Sequence, residues 1–182
     1  MSQRTGWMKK KVKAAVALLL AAIVVIPMGV QNSVTADAAG ATGPGMAAYA
    51  LNAYYSGWSY VYGGSSAGAV DCSGLIYSYA GGARTDSAQI AAAPQRGSLS
   101  SLPRIHGLGL HSPGHCGVYV GNGMAVDARN SQYGVVYQSV YSYGWSEWFK
   151  IAGVSYPDTG WVNFNGQTFY YQNGQYVVNV TL

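Results

Sequence analysis

The chain has 182 residues, 10 Lys+Arg against 6 Asp+Glu, a formal net charge of +4 at pH 7, and only 9% charged residues. Half of its cations, Arg4, Lys9, Lys10, Lys11 and Lys13, crowd the first residues. After residue 38 the sequence sets Arg84, Arg96, Arg104, Arg129 and Lys150 against Asp71, Asp86, Asp127, Glu147 and Asp158, a neutral balance with no basic patch to hold nucleic acid.

The basic leader runs into "AAVALLLAAIVVIPMGV" (14–30), and the triplet Ala36-Asp37-Ala38 fits a signal-peptidase site. Residues 1–38 therefore read as a signal peptide, and the protein as secreted, with no membrane contact once the leader is cleaved. A membrane anchor is the alternative, though a span needs about 20 apolar residues and Pro27 interrupts this run. The remainder suffices for one domain with its own core, expected over 39–157 and followed by a short tail at 158–182.

In "GPGMAAYALNAYYSG" (43–57), Met46, Tyr49, Ala50, Ala53 and Tyr54 recur at the spacing of a core-facing helix that Gly57 ends. A second helix begins at Cys72, with Asp71 as its N-cap and Leu75, Ile76, Tyr79 and Ala80 on the inward face. Gly81-Gly82 stops it. Thr85 can cap a third, "DSAQIAAA", closed by Pro94.

From Leu108 the period changes to two. "HCGVYVGNGMAVDAR" (115–129) predicts two strands around a three-residue Gly121-Asn122-Gly123 loop, and "GVVYQSV" (134–140) a third. Helices followed by strands imply an α+β domain with the helices packed on an antiparallel sheet. In the tail, Asn173-Gly174 between aromatic and β-branched runs signals a hairpin. A single such unit cannot bury its own face, so it is expected to lean on the main domain.

Three readings of Cys72 stand side by side. It can be a core filler, or half of a disulfide with Cys116, closing a loop of about 44 residues worth about 4 kcal/mol in the chain-entropy treatment. It can also be a nucleophile, because a helix N-terminus favours a thiolate when a cationic partner helps. The candidate partners are His106, His111 and His115. Strand parity sends His115, Gly117 and Tyr119 to one face and the apolar set Cys116, Val118 and Val120 to the other. A Cys72–Cys116 bridge and a Cys72–His115 pair are then mutually exclusive. An odd loop sets Gly117 opposite Asp127, diagonal to His115, where a carboxylate can orient the imidazole. The plain alternative for Asp127 is a solvated edge charge paired with Arg129.

"YVYGG" (60–64), "DCSGL" (71–75), "ARTDSAQ" (83–89) and "GHCGVYVGNGMAVDAR" (114–129), in this order and at these distances, resemble the NlpC-type cell-wall cysteine peptidases, a papain-like family. The similarity spans roughly residues 44–155. It implies a Cys-His-polar triad hydrolysing amide bonds in the stem peptides of peptidoglycan, often from γ-D-glutamyl to a diamino acid, with no cofactor. Matched by motif, Cys72 resembles the nucleophile, His115 the base and Asp127 the orienting residue. Tyr60, Asp71 and Ser73 match positions that bind the free amine of the substrate, although Asp71 and Ser73 also suit helix capping.

Two departures stand out: the third position is often His in the family, and "GLGLHSPG" (107–114) replaces the usual turn before the His strand, bringing His111 close to the site. The tail resembles one cell-wall or choline-binding repeat. Three rivals remain: a zinc site built from the clustered histidines and Cys116, a non-catalytic wall-binding protein, and an acyl or amidotransferase on the same fold. The expectation is a monomer, without metal, acting on peptidoglycan.

Overall fold

Helix α1 (Gly43–Tyr55) starts at Thr42, whose side chain accepts from the Gly45 N–H, with Pro44 in the first turn where its missing N–H is harmless. The computed structural model describes residues 40–178, and the leader expected over 1–38 lies outside them. α1 buries Met46, Ala47, Ala50, Leu51 and Ala53, while Tyr54 is 37% exposed. The inward stripe is thus rotated from the predicted one: small alanines bring the helix close to the sheet, and Tyr54 is left at the edge against Tyr137.

Strands β1 (Ser59–Tyr60), β2 (Ser65–Ser66) and β3 (Ala69–Val70) form a small sheet that leads into α2 (Cys72–Ala80). Asp71 caps α2 by accepting from the Gly74 N–H at 2.6 Å, and Gly81, with φ 68°, ends it. The Gly64 carbonyl lies where a Cβ on residue 74 would be, so only glycine lets the 60–64 loop rest on the head of α2. Helix α3 (Asp86–Ala91) is capped by Thr85 and is shorter than predicted, since Ala93 precedes Pro94 and is biased away from helical backbone.

The main sheet contains β4 (Arg96–Ser98), β5 (Leu108–Ser112), β6 (His115–Gly121), β7 (Met124–Asn130), β8 (Gly134–Ser139) and β9 (Glu147–Phe149), antiparallel in the order β4-β9-β5-β6-β7-β8. The helices cover one face, where Met46, Ala50, Leu75 and Ile76 meet Cys116, Val118, Val126 and Ala128. On the other, Leu108, Leu110, Tyr119 and Ala125 pack with Val140, Trp145 and Trp148. The domain is α+β, as expected.

Register between β6 and β7 is the predicted one, with Val118 opposite Val126 and Tyr119 opposite Ala125. The connection differs. Asn122 and Gly123, at φ 50° and 72°, make a two-residue turn closed by Gly121 and Met124, and an irregularity between Tyr119 and Gly121 absorbs the extra residue. Asn-Gly suits the twist of a two-residue hairpin, and a bulge restores the parity that the three-residue loop was to provide.

The tail forms a meander of β10 (Gly160–Phe164), β11 (Gln167–Gln172) and β12 (Gln175–Tyr176), with Asn165-Gly166 and Asn173-Gly174 at its turns. Its buried Phe164, Tyr171 and Tyr176 enclose His106. The ring of His106 stacks on Tyr176 at 4.4 Å, and its Nδ1 lies 2.8 Å from the Tyr171 hydroxyl. Burial lowers its pKa to about 4. Arg104 donates to the Tyr176 carbonyl at 3.0 Å. Deleting residues 158–182 is expected to cost about 3 kcal/mol or more by exposing this cluster, read as a lowered midpoint of thermal unfolding. An unchanged midpoint would show that the meander contributes no stability.

Candidate active site

Cys72 opens α2, where unpaired N–H groups and the helix dipole favour an anion. It is half-buried and lines a cleft of about 510 Å³ together with Tyr60, Asp71, Ser73 and Arg84. Cys72 and Cys116 are both free thiols. The Cys72 pKa is lowered to about 4: hydrogen bonding from Cys116 and from His115, with the charge of the latter, outweighs the opposing effect of burial.

His115 is the first residue of β6 and is buried. Its Nε2 lies 2.8 Å from Asp127 Oδ2, which leaves Nδ1 for the sulfur. Burial pulls the imidazole pKa down, but hydrogen bonds and charge from Asp127 and Cys72 reverse this and hold it at about 9. Its ring stacks on Trp145 at 5.4 Å and 13°. Gly117 makes this possible, since a Cβ there would stand 3.0 Å from both Trp145 and Asp127.

Asp127 has no exposed surface, so it is not the solvated edge charge of the plain alternative. Besides His115 it accepts two hydrogen bonds from Arg129, 2.7 Å to Oδ2 and 2.8 Å to Oδ1. Arg129 in turn lies over the Tyr143 ring at 4.3 Å. The site is a chain of alternating charge, thiolate, imidazolium, carboxylate and guanidinium.

Parity set a Cys72–Cys116 bridge against a Cys72–His115 pair, and the structure holds no bridge, since both thiols are free. Cys116 approaches on the helix face of β6, as its position requires. His115 occupies the end of the strand, where no preceding strand residue confines its ring to one face. The other histidines go elsewhere. His106 is enclosed by the meander, and His111 sits between Asp86 and Glu147 at 3.6 and 3.8 Å. Among the described residues no group of three or more His, Cys, Asp or Glu converges on a metal position.

Tyr60, Asp71 and Ser73 all reach the Cys72 cleft. Asp71 is 8% exposed; it accepts from the Gly63 and Gly74 N–H groups and from Arg84, which also donates to Ser73 Oγ at 2.8 Å. Burial would raise the Asp71 pKa, but Arg84 and the two backbone donors lower it below the ordinary value. The pKa of Tyr60 is raised by burial and by the charges of Cys72 and Asp71.

The sequence profile described as "NlpC/P60 family" matches residues 57–154, more than half of the chain. The chain belongs to the NlpC/P60 family. Similar solved structures include NlpC1 from Trichomonas vaginalis, with 24% identity over 60% of this chain and 43% of that one, at a TM-score of 0.49. The NlpC/p60 domain of the peptidoglycan hydrolase SagA has 26% identity over 58% of this chain and 98% of its own, at 0.46. The peptidoglycan hydrolase RipB from Mycobacterium tuberculosis has 25% identity over 58% and 63%, at 0.45. This chain thus spans less than half the length of NlpC1. Among curated protein sequences none matches.

Four residues at this NlpC/P60 site escaped the sequence reading as site members: Arg84, Arg129, Tyr143 and Trp145. Arg84 stood in a quoted motif and could have been paired with Asp71, while Arg129 was paired with Asp127 only as part of a solvated edge charge and not as a member of the site. The two aromatics come from a loop after β8, and no local pattern connects them with His115.

The sign of the pH dependence follows directly. Above about 4 Cys72 is a thiolate, and below about 9 His115 is an imidazolium, so the ion pair persists between those limits. The rate of alkylation of Cys72 by iodoacetamide is expected to stay nearly flat across that window. A rate falling tenfold per pH unit below about 8, as for an ordinary thiol, would contradict the pairing.

Proposed function

We propose that this chain is an exported cysteine peptidase that hydrolyses amide bonds in peptidoglycan stem peptides. The observation that carries this reading is the sulfur of Cys72, at the head of a helix in an open cleft, its acidity raised by an imidazole whose Nε2 is held by a buried carboxylate. Membership of the NlpC/P60 family supports the same reading.

The thiolate of Cys72 attacks the amide carbonyl carbon, and the negative oxygen forms beside the first N–H groups of α2, Cys72 N–H among them. His115 starts as the imidazolium and protonates the departing amine. Now neutral, it takes a proton from water, which cleaves the thioester and releases the acid. Asp127 fixes the ring and stabilises its charged form throughout.

The cleft also supports the γ-D-glutamyl to diamino acid endopeptidase type. Asp71, kept ionised by Arg84, and the hydroxyls of Tyr60 and Ser73 line the approach to Cys72, and carboxylate plus hydroxyls is the chemistry that receives a substrate ammonium. In this reading residues 1–38 are the export signal, 39–157 the peptidase domain, and 158–182 a single wall-repeat-like unit whose part is packing. The enzyme acts as a monomer.

The test is digestion of purified peptidoglycan by residues 39–182, with mass spectrometry of the released fragments. Peptide fragments with new amino termini at a diamino acid are expected. Intact peptides, or cuts confined to glycan, would reject the reading. Cys72→Ala and His115→Ala are expected to lower turnover by about a thousandfold or more with the fold retained. Asp127→Asn is expected to reduce kcat by about a hundredfold or more with little change in KM, whereas an unchanged kcat would remove Asp127 from the reaction.

A further inference from the structure

Besides Cys72, three charged side chains line the cleft: Asp71, Arg84 and Asp86. Two of them match each other. Arg84 donates to both oxygens of Asp71, at 3.0 and 2.9 Å, and the N–H groups of Gly63 and Gly74 complete the shell of that carboxylate. Asp86 has no such match. Among the described residues the basic group within 4 Å of it is His111, whose Nε2 stands 3.6 Å from Oδ2, beyond hydrogen-bond reach. That ring is shared, since its Nδ1 faces Glu147 Oε1 at 3.8 Å. The Asp86 side chain is 22% exposed against 11% for Asp71. It therefore keeps its hydrogen-bonding capacity for a group that enters the cleft. Asp86 opens α3, but the cap of that helix is Thr85, which accepts from the Ala88 N–H.

Placement decides which part of a substrate Asp86 meets. His111 lies on β5 opposite Cys116, the neighbour of His115 on β6, and Gly114, which precedes His115, lines the cleft as well. Asp86 thus reaches the cleft beside the turn that carries His115, whereas Tyr60, Asp71 and Ser73 come from β1 and the head of α2. In the proposed reaction His115 protonates the departing amine, so the leaving group, the diamino acid, lies on the Asp86 side. With one amine in the scissile amide, a diamino acid has a second on its side chain. We propose that Asp86 is a specificity residue that receives this free side-chain ammonium, so that the enzyme prefers stem peptides whose diamino acid is not crosslinked. Acylation of that amine, as in a crosslink, removes both its charge and two of its three donors. A charge-assisted hydrogen bond at a partly exposed carboxylate is then lost.

The inference rests on the proposed peptidase function, and its test begins with binding so that the two can fail separately. Two synthetic peptides containing a γ-D-glutamyl-lysine bond are compared, one with a free ε-amine and one with that amine acetylated. Their dissociation constants are measured by calorimetry with residues 39–182 carrying Cys72→Ala. Acetylation is expected to weaken binding about tenfold, and by less than about twofold once Asp86→Asn is added. Equal affinities for the two peptides, a preference that survives Asp86→Asn, or no measurable affinity for either would overturn the assignment. A weakened α3 alone would lower affinity for both peptides alike and leave their ratio unchanged. Turnover by the protein with Cys72 intact is then expected to show the same preference, carried by KM. A free-amine peptide bound through Asp86 but not cleaved would reject the peptidase function and leave the ammonium site standing.

Discussion

A carboxylate without exposed surface, Asp127, is the group on which the rest of the site depends. A buried charge left alone is costly, and one compensated by hydrogen-bonded partners is tolerated. Asp127 has two such partners: Arg129 grips both oxygens and His115 shares one of them. The pull of Asp127 keeps the imidazole protonated in spite of its own burial, and the imidazolium keeps the Cys72 sulfur ionised. Cys72, His115, Asp127 and Arg129 together sum to zero charge, so the packed end of the sheet carries a reactive anion without carrying a net one.

The same device occurs a second time, at Asp71. There Arg84 and two backbone N–H groups hold a nearly buried carboxylate that is also the cap of α2. One aspartate–arginine pair fixes the head of the helix bearing the sulfur, and the other fixes the imidazole on the strand. The first pair builds the floor of the cleft and the second lies behind the ring. The relative position of sulfur and ring is set by rigid elements and not by flexible side chains.

Much of this was legible in the sequence because it is local. Asp71 as cap, Leu75 and Ile76 at helical spacing and Gly81 as stop specify α2 within ten residues, and alternation along 115–120 assigns the faces of β6. The register that brings Asp127 to His115 was also legible, although it is reached by a two-residue turn and a bulge. What could not be read depends on distant segments. Strands β4 and β9 are three residues each, too short to show a period, and they exist by pairing with each other and with β5. Trp145 reaches His115 only through the folded path of its loop, and Gly117, its counterpart on β6, shows no reason for being glycine until that ring is in place.

The aromatic enclosure of His106 has a consequence for the working range of the whole chain. Burial keeps that imidazole neutral down to about 4, against an ordinary value of 6.5. An unfolded chain would accept the proton more readily, so stability from this group is complete above about 6.5 and drains away as acidity increases toward 4. The clasp between the C-terminal meander and the main sheet is therefore acid-labile. It loosens between about 6.5 and 4, whereas the sulfur of Cys72 regains its proton only as acidity passes about 4, so acid weakens the scaffold before it disarms the nucleophile.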